Sequence, residues 1–229
     1  MKYDFDQIIS RKETFSTKWL KFTNDDVIPM WIADMDFICP PEITSAMSER
    51  IAQGIFGYSE IPNNLTDVFV DNVKNNTGWS IEKDWVVWIP GGVVGLNVTC
   101  KTILAPGEIA MVPSPIYAPF TEAPENMERG FIKTHLFDSQ GRLEFDMDAI
   151  ETLLTEDTKL FFLCNPQNPG GTVFSEDELK EISKVCKERN IIVCSDEIHS
   201  DLILEEGLKH IPYASLNKHN ENNSITIMG

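Results

Sequence analysis

Short apolar runs recur along residues 85–229, each too brief to be a buried helix and each followed by a helix-like or loop segment. The strand-like runs are "WVVWIPGG", "EIAMVPS", "GFIKTHLF", "KLFFLCNP", "IIVCSDE" and "SITIMG". Helix-like segments lie among and before them. "PEITSAMSERIAQG" places Ile43, Met47 and Ile51 on one face, with Gly54 as a stop, and "NNLTDVFVDNVKNNTG" does the same with Leu65, Val68, Phe69 and Val73. "VVGLNVTCKTIL" starts just after two glycines. In "SEDELKEISKVCKERN", Ser175 and Glu178 have capping-box spacing, and Leu179, Ile182 and Val185 form the stripe to be buried. Short apolar strands alternating with helices imply an α/β fold built on a largely parallel sheet. In such sheets ligands bind beyond the carboxyl ends of the strands. Gly91–Gly92, Pro113–Tyr117, Asn165–Asn168 and Asp196 all stand where a strand has just ended, so they can converge on one crevice.

Composition narrows the partners. The chain has 229 residues, 42% hydrophobic and 24% charged, which suits a soluble globular protein able to bury a sizeable core. Nineteen Lys and Arg against 36 Asp and Glu give a formal charge of −17, which repels polyanions and argues against a nucleic-acid or anionic-membrane surface. The five cysteines form no C-x-x-C pair; Cys100, Cys164 and Cys194 lie in apolar stretches and read as reduced core residues. "MKYDFDQIIS" has no signal-peptide apolar region, and no apolar run approaches the ~18 residues of a membrane span. A cytoplasmic location is the expectation, and no metal-ligand cluster is expected.

Each strand end suggests a role. In "IPGGVVGL", a strand, two glycines and a helix start can set backbone N–H groups around an anion such as phosphate; on this stretch alone a plain tight turn explains it equally well. The spacing of Gly91, Gly92 and Gly95 matches neither the dinucleotide fingerprint nor a P-loop, which disfavours a nucleotide-binding domain. In "VPSPIYAPF" the prolines stiffen a loop that presents Tyr117, able to stack on a flat heterocycle or to anchor the loop. In "LCNPQNPGGTVF" the two Asn-Pro steps and Gly170–Gly171 fix the backbone path. Asn165 suits turn geometry, while Asn168 is a rigidly placed amide that can donate to a ring oxygen. The apolar run "IIVC" leads into Asp196, which either sits at a sheet edge in water or is held half-buried against a cationic partner such as a protonated pyridine nitrogen. His199 is a second polar group beside it.

Phosphate cradle, stacking Tyr, Asn donor and Asp acceptor together describe a pyridoxal 5′-phosphate (PLP) pocket. The ordered motifs "GYSE", "PGGVVG", "APGE", "PSPIYAPF", "CNPQNPGGTVF" and "SDEIHSDLI" resemble the large domain of the class I/II aminotransferase family of fold-type I PLP enzymes. "WIADMDFICPP" looks like the cystathionine β-lyase and cystalysin-type C–S lyase subfamily. The resemblance implies a three-layer α/β sandwich with a mostly parallel sheet, the PLP-transferase major domain. Residues 1–40 would form an N-terminal arm and the start of the small domain, and 41–229 an incomplete PLP-binding large domain. It also implies site roles: Asp196 on the pyridine nitrogen, Asn168 on the ring 3′-oxygen, Tyr117 on one ring face and Ile198 on the other. The backbone N–H groups of Val93 and Val94 would hold the phosphate, His199 would contact the 3′-oxygen, and Tyr58 would reach the phosphate of a second subunit in a homodimer. The implied reaction is β-elimination on a sulfur-containing amino acid, or transamination. The family's Schiff-base lysine is expected just beyond Gly229, so no catalytic residue is assigned within this chain. On that reading the chain is an N-terminal piece of a longer enzyme, inactive alone, or a noncatalytic module that binds PLP or a partner.

Overall fold

The computed structural model describes residues 3–24 and 26–229, and the chain packs as two compact units, Met1–Glu60 and Ile61–Gly229. The first unit carries α1 (Thr17–Leu20) and α2 (Pro41–Gln53), the latter ended by Gly54 in the left-handed conformation as expected. Its organising group is Asp36 of "WIADMDF". That carboxylate accepts hydrogen bonds from Lys18 Nζ, Trp19 Nε1 and Arg11 Nη1, each at 2.8 Å. Lys18, then Trp19 and Arg11, hold its carboxyl well below the ordinary range against the opposing effect of burial. The α2 stripe is left uncovered: Ile43, Met47 and Ile51 are all exposed and α2 has no buried residue. An amphipathic pattern specifies an apolar face, but not the element that covers it.

The second unit is an α/β sandwich. In chain order it contains α3 (Asn63–Thr77), α4 (Gly92–Ile103), β1 (Ile109–Ser114), α5 (Pro119–Asn126), β2 (Gly130–Ser139), β3 (Arg142–Phe145) and α6 (Met147–Leu153). There follow β4 (Thr158–Cys164), α7 (Glu176–Glu188), β5 (Ile192–Asp196), α8 (Lys218–Asn222) and β6 (Ser224–Ile227). The sheet order is β3-β2-β1-β4-β5-β6; only β2 and β3 are antiparallel. Alternate side chains of the central strands enter two cores, one on each face. Met111, Phe161, Leu163 and Val193 pack with Leu179, Ile182 and Val185 of α7, so the predicted stripe is buried. Ala110, Val112, Leu160, Phe162 and Cys194 pack with Leu96 and Cys100 of α4 and Phe120 of α5. Burial pushes the thiols of Cys100 and Cys164 up to about 12, and that of Cys194 up as well, as suits inert core residues.

Two expectations are corrected in this unit. The stretch "WVVWIP" is not a strand: Lys83–Trp85 is a 3₁₀ turn, and Val87, Trp88 and Ile89 are exposed with no ladder partner among the described residues. Apolar character suits a strand, but only a neighbouring strand makes one. In α3 only Val73 of the predicted stripe is buried, while Leu65 and Val68 are exposed.

The capping box of α7 ties the β2–β3 hairpin to the sandwich. Glu178 accepts from Ser175 N–H at 2.8 Å and from the Ser175 hydroxyl at 2.7 Å, and it receives both Arg142 guanidinium nitrogens at 2.8 and 2.6 Å. Burial alone would raise its carboxyl, but Arg142 and Ser175 outweigh it and hold the group below the ordinary glutamate range. A carboxyl depressed in the folded state stabilises above its unfolded pKa, and that contribution is lost as pH falls through the folded value. Ser175→Ala should therefore lower stability by about 1 kcal/mol. Glu178→Gln should be destabilising near pH 7, and its difference from wild type should shrink as pH falls below about 4. Urea unfolding across that range checks both; a pH-independent Glu178→Gln difference would contradict the linkage.

Candidate active site

The carboxyl ends of β4, β5 and β6 lie side by side, with Asp196 opposite Cys164 on one flank and Ile227 on the other. Asp196 is held at its backbone from both sides. Its carbonyl accepts Asn165 N–H at 3.0 Å, and the following Glu197 N–H donates to Ile227 O at 2.8 Å. Its side chain is turned back on the chain by Ile198 N–H donating to Oδ1 at 3.1 Å. Along β5, Cys194 belongs to the core beneath α4, so by strand alternation Asp196 faces the α4 layer. The residue is 7% exposed and no ion pair to it forms among the described residues. Burial raises its carboxyl pKa, and the raise stands although the Ile198 N–H and the nearby His199 pull downward.

The N-terminus of α4 lies against the same strand end. A Cβ at Gly92 would sit 3.6 Å from Ile198 Cδ1 and 3.7 Å from Ile227 Cγ2, so Ile198 bridges the helix start and the Asp196 turn. Gly91 has φ +129, open to glycine but strained for other residues, and its carbonyl accepts Gly95 N–H at 3.2 Å to open the helix. The first-turn N–H groups, those of Val93 and Val94 among them, have no intrahelical acceptor and carry the positive end of the helix dipole.

Two further loops complete the strand-end face. The loop after β1 presents Tyr117, 47% exposed, and the turn after Asp196 presents Ile198, 43% exposed, so both keep apolar surface free. The loop after β4 carries Asn165 and Asn168. Asn165 is wholly buried and its Oδ1 accepts Phe174 N–H at 3.0 Å, the turn role read from sequence. Asn168 is half-buried, and its side-chain amide makes no hydrogen bond among the described residues. His199 is half-buried in the turn after Asp196. Tyr58 lies in the N-terminal unit with its side chain exposed. The structure thus connects Asp196, Ile198 and the start of α4, and it places Tyr117 and Asn168 on the loops of the neighbouring β1 and β4.

Sequence reading missed the group that anchors this strand end. Glu197 is fully buried on the opposite side of β5 from Asp196. Its Oε1 accepts the Ser195 hydroxyl at 2.8 Å and Tyr213 N–H at 2.9 Å, and its Oε2 lies 2.7 Å from His210 Nε2. Ser195 at i−2 shares its face, which was the one available signal; His210 comes from a loop whose path no local pattern predicts.

Parallel strand ends, an open helix N-terminus and a lone buried carboxylate define a PLP-transferase-type α/β domain, and the solved relatives have this fold. The chain matches the model of the aminotransferase class I and II family over residues 25–228, and it belongs to that family, whose members depend on PLP. It is 37% identical to cystathionine beta-lyase PatB of Bacillus subtilis, over 97% of this chain and 59% of that protein. It superposes on cystalysin from Treponema denticola, a structure containing PLP, with a TM-score of 0.93 and 29% identity, over 100% of this chain and 60% of that one. A PLP-bound C–S lyase from Staphylococcus hominis gives a TM-score of 0.91 with 32% identity, over 100% and 59%. The chain thus spans about 60% of the length of these relatives. No helix among the described residues is long and apolar enough to cross a membrane.

A carboxyl whose folded pKa is raised favours folding fully below its unfolded pKa, and that contribution is lost as pH rises through the folded value. Asp196→Asn should therefore stabilise the ligand-free protein by about 1 kcal/mol near pH 7, with the gain vanishing below about pH 4. Urea midpoints at the two pH values decide it; a destabilised Asn variant near pH 7 would contradict the account.

Proposed function

We propose that this chain carries the cofactor half of a PLP-dependent carbon–sulfur β-lyase, acting on cystathionine or a related cysteine S-conjugate to give pyruvate, ammonia and a thiol. The observation that carries the reading is Asp196, a desolvated carboxylate with no ion pair among the described residues, set at a strand end on the side of an open helix N-terminus. The names of the relatives, cystathionine beta-lyase and C–S lyase, favour the lyase over the aminotransferase alternative.

Each residue then has a defined task. Asp196 meets the protonated pyridine nitrogen, which converts a costly lone charge into an ion pair. The N–H groups of Val93 and Val94 take the phosphate at the helix start. Asn168 donates its free amide to the ring 3′-oxygen, with His199 as a second contact. Tyr117 and Ile198 close the two ring faces with the apolar surface they leave open. When bound, PLP supplies an electron sink for negative charge at the substrate Cα. Asp196 keeps the nitrogen positive, and the fixed strand end keeps Asp196 in place. The lysine that would move the Cα proton is assigned beyond Gly229. The same reading includes an arm at 1–40 ahead of a large domain at 41–229, and a cytoplasmic homodimer in which Tyr58 reaches the partner's phosphate.

The test is product analysis with the full-length protein and added PLP. Cystathionine should yield pyruvate, and Asp196→Ala should weaken PLP retention and cut the rate at least a hundredfold, the scale of breaking one buried ion pair. Transamination with a 2-oxo acid and no pyruvate would make the protein an aminotransferase. Unchanged activity in Asp196→Ala would remove the site assignment.

A further inference from the structure

Gln167 stands between the loop that carries Tyr117 and the loop that carries Asn168, and it is 4% exposed. Its side-chain amide is used at both ends. Nε2 donates to Pro115 O at 2.6 Å and to Asn168 O at 3.2 Å, while Oε1 accepts Gly170 N–H at 2.5 Å. Its backbone is engaged as well, with N–H donating to Thr172 O and C=O accepting Gly171 N–H, both at 2.7 Å. The bond to Pro115 joins residues 52 apart in sequence, from the end of β1 to the end of β4. Within the β1 loop, by contrast, the Tyr117 carbonyl makes only the local turn bond from Phe120 N–H among the described residues, at 3.1 Å.

The space around the amide is closed. A Cβ on Gly170 would lie 2.7 Å from Gln167 Oε1 and would collide with the Leu143 side chain. Position 170 is therefore crowded from two sides, by the Leu143 side chain and by the Gln167 amide oxygen. The chemistry is equally restrictive. Two carbonyl oxygens, those of Pro115 and Asn168, face Nε2, and only a donor satisfies them. A glutamate of the same shape would set carboxylate lone pairs against both, and a methionine of similar length would leave both without that donor.

We infer that Gln167 is a positioning residue that locks the Tyr117 loop to the Asn168 loop, so that ring stacking and the 3′-oxygen contact are presented as one rigid jaw. The jaw's purpose rests on the PLP reading above; the coupling itself does not. The Gln167 amide is spent on Pro115, Asn168 and Gly170, so the residue's part is in placing the loops. It acts by sparing ligand binding the entropy of ordering two loops separately.

The test compares wild type with Gln167→Glu and Gln167→Met in the full-length protein, by hydrogen–deuterium exchange without ligand and by PLP titration followed in visible circular dichroism. Exchange in segments 116–121 and 168–172 should rise about tenfold in both variants, while β5 and α7 stay protected as in wild type. PLP affinity should fall about tenfold, with a weaker dichroic band from a less fixed ring. Unchanged exchange at 116–121 overturns the coupling. Raised local exchange with unchanged PLP affinity and band overturns the positioning role. A rise across the whole chain in both variants also overturns it, since Gln167 would then be a general stabiliser. A wild-type protein that binds no PLP would defeat the cofactor reading instead, and the exchange comparison would still decide the coupling.

Discussion

A parallel sheet covered on both faces leaves its polar side chains few places to stand. The interior positions of β4 alternate between two apolar cores, with Phe161 and Leu163 on one side and Leu160 and Phe162 on the other, all essentially without solvent contact. A charge inserted there would be unpaired in a low-dielectric medium. Polar chemistry is therefore pushed to the carboxyl ends, where strand geometry still fixes direction but the helices no longer cover the face. Asp196 and Asn165 occupy those ends, and the start of α4 packs beside Ile198 and Ile227 there. The site is a consequence of how the core is built.

The same constraint explains which parts were legible. β1, β2, β4, β5 and β6 could be read because burial on one or both faces demands dense β-branched and aromatic runs. Helix α7 could be read because its cap, acidic first turn and apolar stripe all agree. β3 could not. It depends on a two-residue turn at Gln140–Gly141, both with positive φ, and only the glycine of that pair advertises the conformation. Helix α5 escaped notice because Pro119 read as part of a stiffened loop, although it sits at the first helical position, where a missing N–H costs nothing. The "WVVWIP" stretch and the α2 stripe failed in the opposite direction: their residues state a preference for burial or pairing that no described neighbour meets.

Of the candidate site, the residues named from sequence stand at strand ends, and the groups that support them were not named. Asp196, Asn168 and Tyr117 announce themselves by residue type at strand ends. Gln167, Glu197 and His210 support them through contacts that skip along the sequence, such as the 2.7 Å approach of His210 to Glu197 and the 2.6 Å bond from Gln167 to Pro115. Local pattern carries no information about such pairs. Strand alternation recovers part of it. Cys194 and Asp196 face the α4 layer, while Ser195 and Glu197 face the layer of Tyr213, so the end of β5 and the residue after it set two carboxyl groups on opposite faces.

Three carboxylates show how environment divides their roles. Asp36 receives three donors and is held strongly ionised, which makes it a structural clasp. Glu197 is fully buried, and its two oxygens are occupied by a hydroxyl, a backbone N–H and a histidine. Asp196, next to it, keeps a single backbone donor and no ion pair among the described residues, and its pKa is raised by burial despite the pull of His199. Satisfied charges hold a fold, whereas an unsatisfied one lowers stability until a complementary ligand arrives. The sheet can carry that cost because Glu197 on the other face, and the bonds from Asn165 and to Ile227 on either flank, leave Asp196 no easy path to relax. The residue that costs the fold stability is also the one best placed to gain from a bound cation.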